Sequence, residues 1–121
     1  MTASELQEAA RATVACINIF SRVRLTVPVV RIRKRDRSCY WQPTKRRKRA
    51  AITISLGAHS HIEHLAHELA HHMAYHLSPM REVHGEFFFR CLRIVVDVMG
   101  LDSYDWSKEY RAIQKRAAAH R

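Results

Sequence analysis

The chain is poor in glycine, proline and cysteine, and each shortage excludes a class of protein. Three glycines and three prolines among 121 residues are too few for collagen-like, low-complexity or long linker segments. Cys16, Cys39 and Cys91 include no C-x-x-C pair, which excludes a disulfide framework and a zinc ribbon and favours a reducing compartment. No run reaches the roughly 18 apolar residues of a membrane span, and no signal-peptide pattern is present. We therefore expect a single cytoplasmic domain, residues 1–121.

Acidic residues are also scarce, and the resulting positive charge is local. Eleven Asp and Glu stand against 21 Lys and Arg, for a formal charge of +10. Residues 31–49 hold ten cations and a single acid, Asp36, whereas the rest of the chain nearly balances. The densest part is a run of five cations that follows two aromatic residues: Tyr40, Trp41, then Lys45, Arg46, Arg47, Lys48 and Arg49.

Cations beside exposed aromatic rings suit phosphate contacts and base stacking. Nine local charges also exceed what solubility needs. We therefore predict that the five cations and Trp41 form a surface for DNA or another polyanion. A solvated turn that only keeps the protein soluble is the main alternative for this basic stretch, and an acidic protein and a membrane surface are two others.

The periodicity of apolar residues predicts an α+β fold. A helix is expected over residues 3–21, with a capping box at Thr2 and Glu5 or at Ser4 and Gln7. Strands are expected within residues 23–32, with Pro28 marking an edge or bulge, and over 38–42 and 51–56. Together they predict a small antiparallel three-stranded sheet with a basic hairpin.

Three more helices are expected after the sheet. Ser60 and Glu63 make a capping box for a helix over residues 61–77, which the serine and proline that follow should end. A second helix is expected over 80–99, ending at Gly100. Asp102 or Ser103 should cap the last one.

The most informative segment is a histidine-rich helix with the motif His67-Glu68-Leu69-Ala70-His71. Residues i and i+4 share one face of a helix, so both imidazoles can bind one Zn²⁺. Glu68 then lies beside the metal-bound water, whose pKa zinc lowers to about 7, and can act as general base. On a helical wheel the two histidines lie opposite an apolar stripe that consists of Leu65, Ala66, Leu69 and Met73. We therefore predict that one face packs and the other faces a cleft.

A hydrolytic zinc site needs a third protein ligand and one open position. Ala74 and Leu77 occupy the positions of the metzincin glycine and third histidine, which excludes that class. His84 is the predicted third ligand, because it shares a helix face with apolar residues. Burial of an imidazole without a ligand or a hydrogen bond on such a face would cost free energy. Glu82 and Glu86 compete for this role, and a core histidine bonded to a carbonyl is the other alternative.

The order of these motifs resembles that of the SprT-like zinc metallopeptidases. It consists of the strand Ile52-Thr53-Ile54-Ser55-Leu56, the HExxH helix, a short loop and His84-Gly85-Glu86-Phe87-Phe88. The chain is also similar to small actinobacterial and phage proteins described only as metallohydrolases. The resemblance covers roughly residues 50–100. It implies a minigluzincin-like α+β domain, with zinc on His67, His71 and His84 and with Glu68 as catalytic acid/base.

The family includes proteases that cut proteins crosslinked to DNA. Those members often add a Cys-rich zinc ribbon, which this chain lacks, so that activity does not follow from the resemblance alone.

The sequence therefore predicts a zinc-dependent hydrolase, above all a metallopeptidase whose partner is a protein or peptide substrate rather than a membrane. Tyr75, close to the metal-binding histidines on the wheel, is a candidate oxyanion donor. For His64 we favour a solvated position over a role in the cleft. The main alternative is a nucleic-acid-binding module with a structural or inactive zinc site. A hydrolase of small-molecule amides or esters is another.

Overall fold

The computed structural model describes residues 1–79 and 85–119. Over these residues the elements are α1 Ala3–Ser21, β1 Val29–Arg33, β2 Cys39–Trp41, β3 Ala51–Ser55, α2 His61–Leu77, α3 Glu86–Met99 and α4 Trp106–Ala119. The predicted α+β layout is confirmed. The predicted start of the third helix, at residue 80, lies outside the described residues.

Local hydrogen bonds explain where α1 and α2 begin. Of the two predicted capping boxes for α1, the one at Thr2 and Glu5 forms in full. At α2 the Ser60 hydroxyl accepts from the Glu63 backbone N–H. The Glu63 carboxylate does not complete that box, because it accepts from the backbone N–H of Asp105 instead, 3.0 Å away. One half of the predicted motif thus starts α2, and the other half connects α2 to the beginning of α4.

The sheet is mixed, with strand order β1-β3-β2. Strands β2 and β3 pair antiparallel, which confirms the basic hairpin. The prediction of an antiparallel sheet is wrong for β1, which pairs parallel with β3. Residues 34–50, which contain β2, separate these two strands, and this length allows the crossover that parallel strands require.

The core lies between the central strand and the first three helices. Ile52 and Ile54 of β3 are fully buried and point to the same face of the sheet. They meet apolar side chains from α1, α2 and α3, among them Leu6, Ile17, Leu65, Leu69, Phe88 and Leu92. The predicted stripe on α2 is confirmed, since Leu65, Ala66, Leu69 and Met73 are all buried. Burial of this stripe leaves another face of α2 for polar side chains. Among the described residues no helix has the length and apolar character to cross a membrane.

Candidate metal centre and its cleft

The side of α2 that faces away from the apolar stripe brings together His67, Glu68 and His71, of which Glu68 is buried and the two histidines are half-buried. The Nε2 atoms of His67 and His71 lie 3.2 Å apart. Two nitrogens on one tetrahedral zinc, each at about 2.0–2.1 Å, are separated by about 3.3 Å, so this spacing fits a shared ion. A Glu68 carboxylate oxygen completes the group, whose ligand atoms all lie within 4.8 Å of one another. His67, Glu68 and His71 thus form a group that is able to hold a metal ion.

A carboxylate from α4 orients His67. Glu109 Oε1 lies 2.5 Å from His67 Nδ1, and Glu109 is only 9% exposed. Because a carboxylate accepts hydrogen bonds, the ring proton belongs on Nδ1 and the lone pair on Nε2, the atom nearest His71. The Tyr104 hydroxyl donates to the same carboxylate oxygen at 2.7 Å. Metal-binding histidines typically donate their second ring N–H to such a carboxylate.

Aromatic packing orients His71. Its ring is stacked on Phe88 of α3, with centroids 4.3 Å apart and planes at 27°. The Tyr40 ring lies nearly parallel to His71, at 6.5 Å, and its hydroxyl donates to Nδ1 of the buried neighbour His72. His72 Nε2 in turn donates to the Thr26 carbonyl at 2.7 Å. The Phe88 and Tyr40 rings restrict the rotation of the His71 imidazole.

Glu68 has the environment of a proton acceptor that works near neutral pH. Its side chain is 5% exposed, and burial raises the pKa of this carboxyl to about 7. The charge of His67 opposes the shift, the Glu109 carboxylate adds to it, and Arg37 opposes it. A carboxyl with a pKa in this range can both take up and release a proton at neutral pH.

These residues lie in a cleft of about 690 Å³. Residues of α2 line it together with β2, its flanking loops, Tyr104 in the loop before α4 and Lys108 in the first turn of α4. His64 also lines the cleft, so the solvated position favoured from the sequence is wrong: the ring is half-buried, and its Nδ1 lies 2.7 Å from Ser38 Oγ. Burial lowers the pKa of His64, and the neighbouring histidines lower it further.

Other predicted site residues lie elsewhere. The ring of Tyr75 packs 6.4 Å from that of Tyr40, and Tyr75 is not among the described residues that line the cleft. Its role as oxyanion donor stays a prediction. His84 and its competitor Glu82 lie outside the described residues. Glu86 is exposed and bonds Arg90 at 3.1 Å in the first turn of α3, which argues against its selection as the third ligand.

The basic run occupies the loop between β2 and β3. The side chains of Lys45, Arg46, Lys48 and Arg49 are exposed, and that of Arg47 is half-buried. Trp41, 39% exposed, already has the guanidinium groups of Arg35 and Arg47 at 5.7 and 6.0 Å from its ring centre. A stacked base would have to share this ring with them. The cations of the loop therefore fit polyanion contacts better than Trp41 fits base stacking.

Sequence reasoning missed Glu109, Tyr104 and Lys108, and it assigned Arg47 to a polyanion surface rather than to the cleft. Glu109 lies 42 residues from His67, so no local spacing relates the two. One signal was available, because Glu109 sits between Trp106 and Tyr110 on the last helix. An acid close to the apolar positions of a helix calls for a buried partner.

Comparisons with protein-family models, with curated proteins and with solved structures give no match.

Proposed function

We propose that the protein is a zinc-dependent hydrolase, and above all a metallopeptidase. The observation that carries the proposal is the convergence of His67 and His71 Nε2 beside the buried Glu68 carboxylate in a cleft. A structural zinc site closes with four ligands and needs no base, whereas a hydrolytic site keeps an open position beside one. The cleft and the buried glutamate both favour the hydrolytic alternative.

The donor set suits zinc. Imidazole nitrogens are preferred zinc ligands, and the 3.2 Å between the two Nε2 atoms suits a tetrahedral ion. His84 is the proposed third ligand, as the sequence predicts. When bound, zinc would polarise the scissile carbonyl and acidify a water molecule.

The protein's own groups would perform the proton transfers and the positioning. Glu68 would accept the proton of the attacking water and pass it to the leaving amine, a task that its buried position beside the two histidines suits. Glu109 would keep the His67 proton on Nδ1. Phe88, stacked on His71, would keep that ring in place when substrate enters.

The test compares wild type with Glu68→Gln, and uses Glu8→Gln, an exposed glutamate on α1, as the matched control. We expect about one zinc per chain and cleavage of fluorescently labelled casein by wild type and by the control. Glu68→Gln should keep the zinc and the thermal stability but lose activity by at least about 100-fold. Activity retained in Glu68→Gln removes this residue from the mechanism, and a wild type that binds no zinc contradicts the proposal. Loss of zinc in His84→Ala would identify the third ligand.

A second candidate function is nucleic-acid binding, and the exposed cations of the β2–β3 loop favour it. The perturbation replaces four of them by glutamine: Lys45, Arg46, Lys48 and Arg49. Wild type should bind a 20-nucleotide single strand more weakly as salt rises, and the log–log slope should fall by about 0.7 for each phosphate contact removed. Unchanged binding in the variant contradicts this function. DNA and zinc binding with no hydrolysis of casein, peptides or esters would favour a binding module with an inactive metal site.

A further inference from the structure

Three cations line the cleft that contains the metal-binding group. Arg37 lies just before β2, Arg47 lies in the β2–β3 loop, and Lys108 lies in the first turn of α4. Among residues 1–79 and 85–119, none of the three forms a salt bridge with an acid. Arg47 donates a hydrogen bond to the Gln42 carbonyl. Its Nε is buried and has no hydrogen-bond partner among the described residues. Positive groups thus reach the cleft from two separate segments.

Three of the acids in the cleft are already engaged by the protein. Glu109 accepts from His67 and Tyr104, and Glu63 accepts from the Asp105 backbone N–H. Asp105 accepts from the hydroxyl of Ser107 and from the backbone N–H of Lys108. Glu68 is the proposed base. Three of the acids therefore have hydrogen-bonding partners within the protein, whereas none of the three cations forms a salt bridge among residues 1–79 and 85–119.

We propose that the cleft selects peptide substrates with an aspartate or glutamate side chain next to the scissile bond, bound by Arg37 and Lys108 with Arg47 beside them. This specificity rests on the proposed peptidase function. Guanidinium groups bind carboxylates through paired, charge-assisted hydrogen bonds, and a bound metal ion would add positive charge to the same cleft. Arg37 and Lys108 line the cleft and lie outside the basic run of the β2–β3 loop, to which Arg47 belongs, and this favours a peptide side chain over a nucleic-acid backbone as their ligand.

The first experiment measures binding without catalysis. Metal-free protein is titrated with two fluorescein-labelled octapeptides, one of glutamate and one of glutamine. We expect wild type to prefer the glutamate peptide, and Arg37→Gln and Lys108→Gln each to reduce that preference by about fivefold. Arg93→Gln, an exposed cation of α3, is the matched control and should change nothing. Equal affinity for the two peptides overturns the proposal. So does a preference that is lost in the four-residue loop variant and kept in Arg37→Gln and Lys108→Gln.

The second experiment measures specificity. Zinc-loaded protein digests a proteome-derived peptide library, and mass spectrometry identifies the cleaved bonds. Asp and Glu should be enriched within two residues of the cut, and the double variant of Arg37 and Lys108 should lose that enrichment. Cleavage without acidic enrichment overturns the subsite and leaves the peptidase function intact. No cleavage by the zinc-loaded protein contradicts both. Single-stranded DNA is also added as a competitor. If it displaces the glutamate peptide, and if Arg37→Gln and Lys108→Gln lower the affinity for DNA as much as the affinity for the peptide, the cations bind phosphates and the assignment is wrong.

Discussion

The contact between Glu109 and His67 gives the sharpest prediction about the metal centre. In Glu109→Gln an amide replaces the carboxylate at almost the same volume. The charge-assisted hydrogen bond to Nδ1 is weakened, and the amide can also donate, so the ring loses its fixed tautomer. Loss of such a carboxylate partner typically lowers metal affinity by about 10–100-fold. We therefore expect zinc binding to weaken by about 1.4–2.8 kcal/mol.

The assay is competition for zinc with a chromophoric chelator at fixed pH. Tyr104→Phe is the matched variant, because it removes the hydroxyl donor to Glu109 and leaves the carboxylate–imidazole pair. Its effect should stay near 1 kcal/mol. Thermal unfolding of the metal-free proteins separates positioning from folding, since the change in zinc affinity should exceed any change in stability. Unchanged zinc affinity in a folded Glu109→Gln protein would refute the assignment of Glu109 as a positioning residue.

Three further predictions concern packing and buried groups. Leu92→Ala should lower the free energy of unfolding by about 2–5 kcal/mol in urea titrations, because Leu92 is fully buried. The control Ile94→Ala changes a side chain that is 37% exposed and should lower it by less than about 1 kcal/mol. Equal losses in the two variants would contradict the assigned core. Tyr40→Phe removes the donor to His72 Nδ1 and should lower the free energy of unfolding by about 1 kcal/mol in the same titrations. The control Tyr110→Phe, at a side chain 55% exposed, should have no effect. A Tyr40→Phe protein as stable as wild type would show that this hydrogen bond is not maintained. Iodoacetamide should alkylate Cys16 and Cys39 before Cys91, because Cys91 is 2% exposed and burial raises the pKa of its thiol to about 11. Mass spectrometry measures the three alkylation rates, and equal rates would contradict the burial of Cys91.

Features set by neighbouring residues could be predicted from the sequence, and features set by distant segments could not. The capping box of Thr2 and the cap of Ser60 fixed the starts of α1 and α2, because both act within one turn. The stripe of Leu65 to Met73 oriented α2, because helical periodicity decides which face is buried. The parallel pairing of β1 with β3 was missed, because alternation of apolar residues specifies a strand but not its partner.

The partner of His67 was missed for the same reason. Glu109 approaches Nδ1 only when α4 packs against α2, and that arrangement depends on the tertiary fold. The apolar side of the last helix was visible in Trp106 and Tyr110, but the histidine that this helix would meet was not. The sequence identified the candidate ligands through their spacing on one helix, whereas the contacts that orient them come from two other helices and a strand.

The position of α4 makes the C-terminal helix part of the candidate site rather than an appendage to the fold. The Glu63 carboxylate accepts from the backbone N–H of Asp105, one residue before α4 begins. Four residues later Glu109 bonds His67, and between them Lys108 lines the cleft. One turn of chain thus links the orientation of a candidate metal ligand to a charged wall of the cleft. A change that displaces the beginning of α4 should therefore alter metal affinity and substrate preference together, although neither the HExxH motif nor the core is touched.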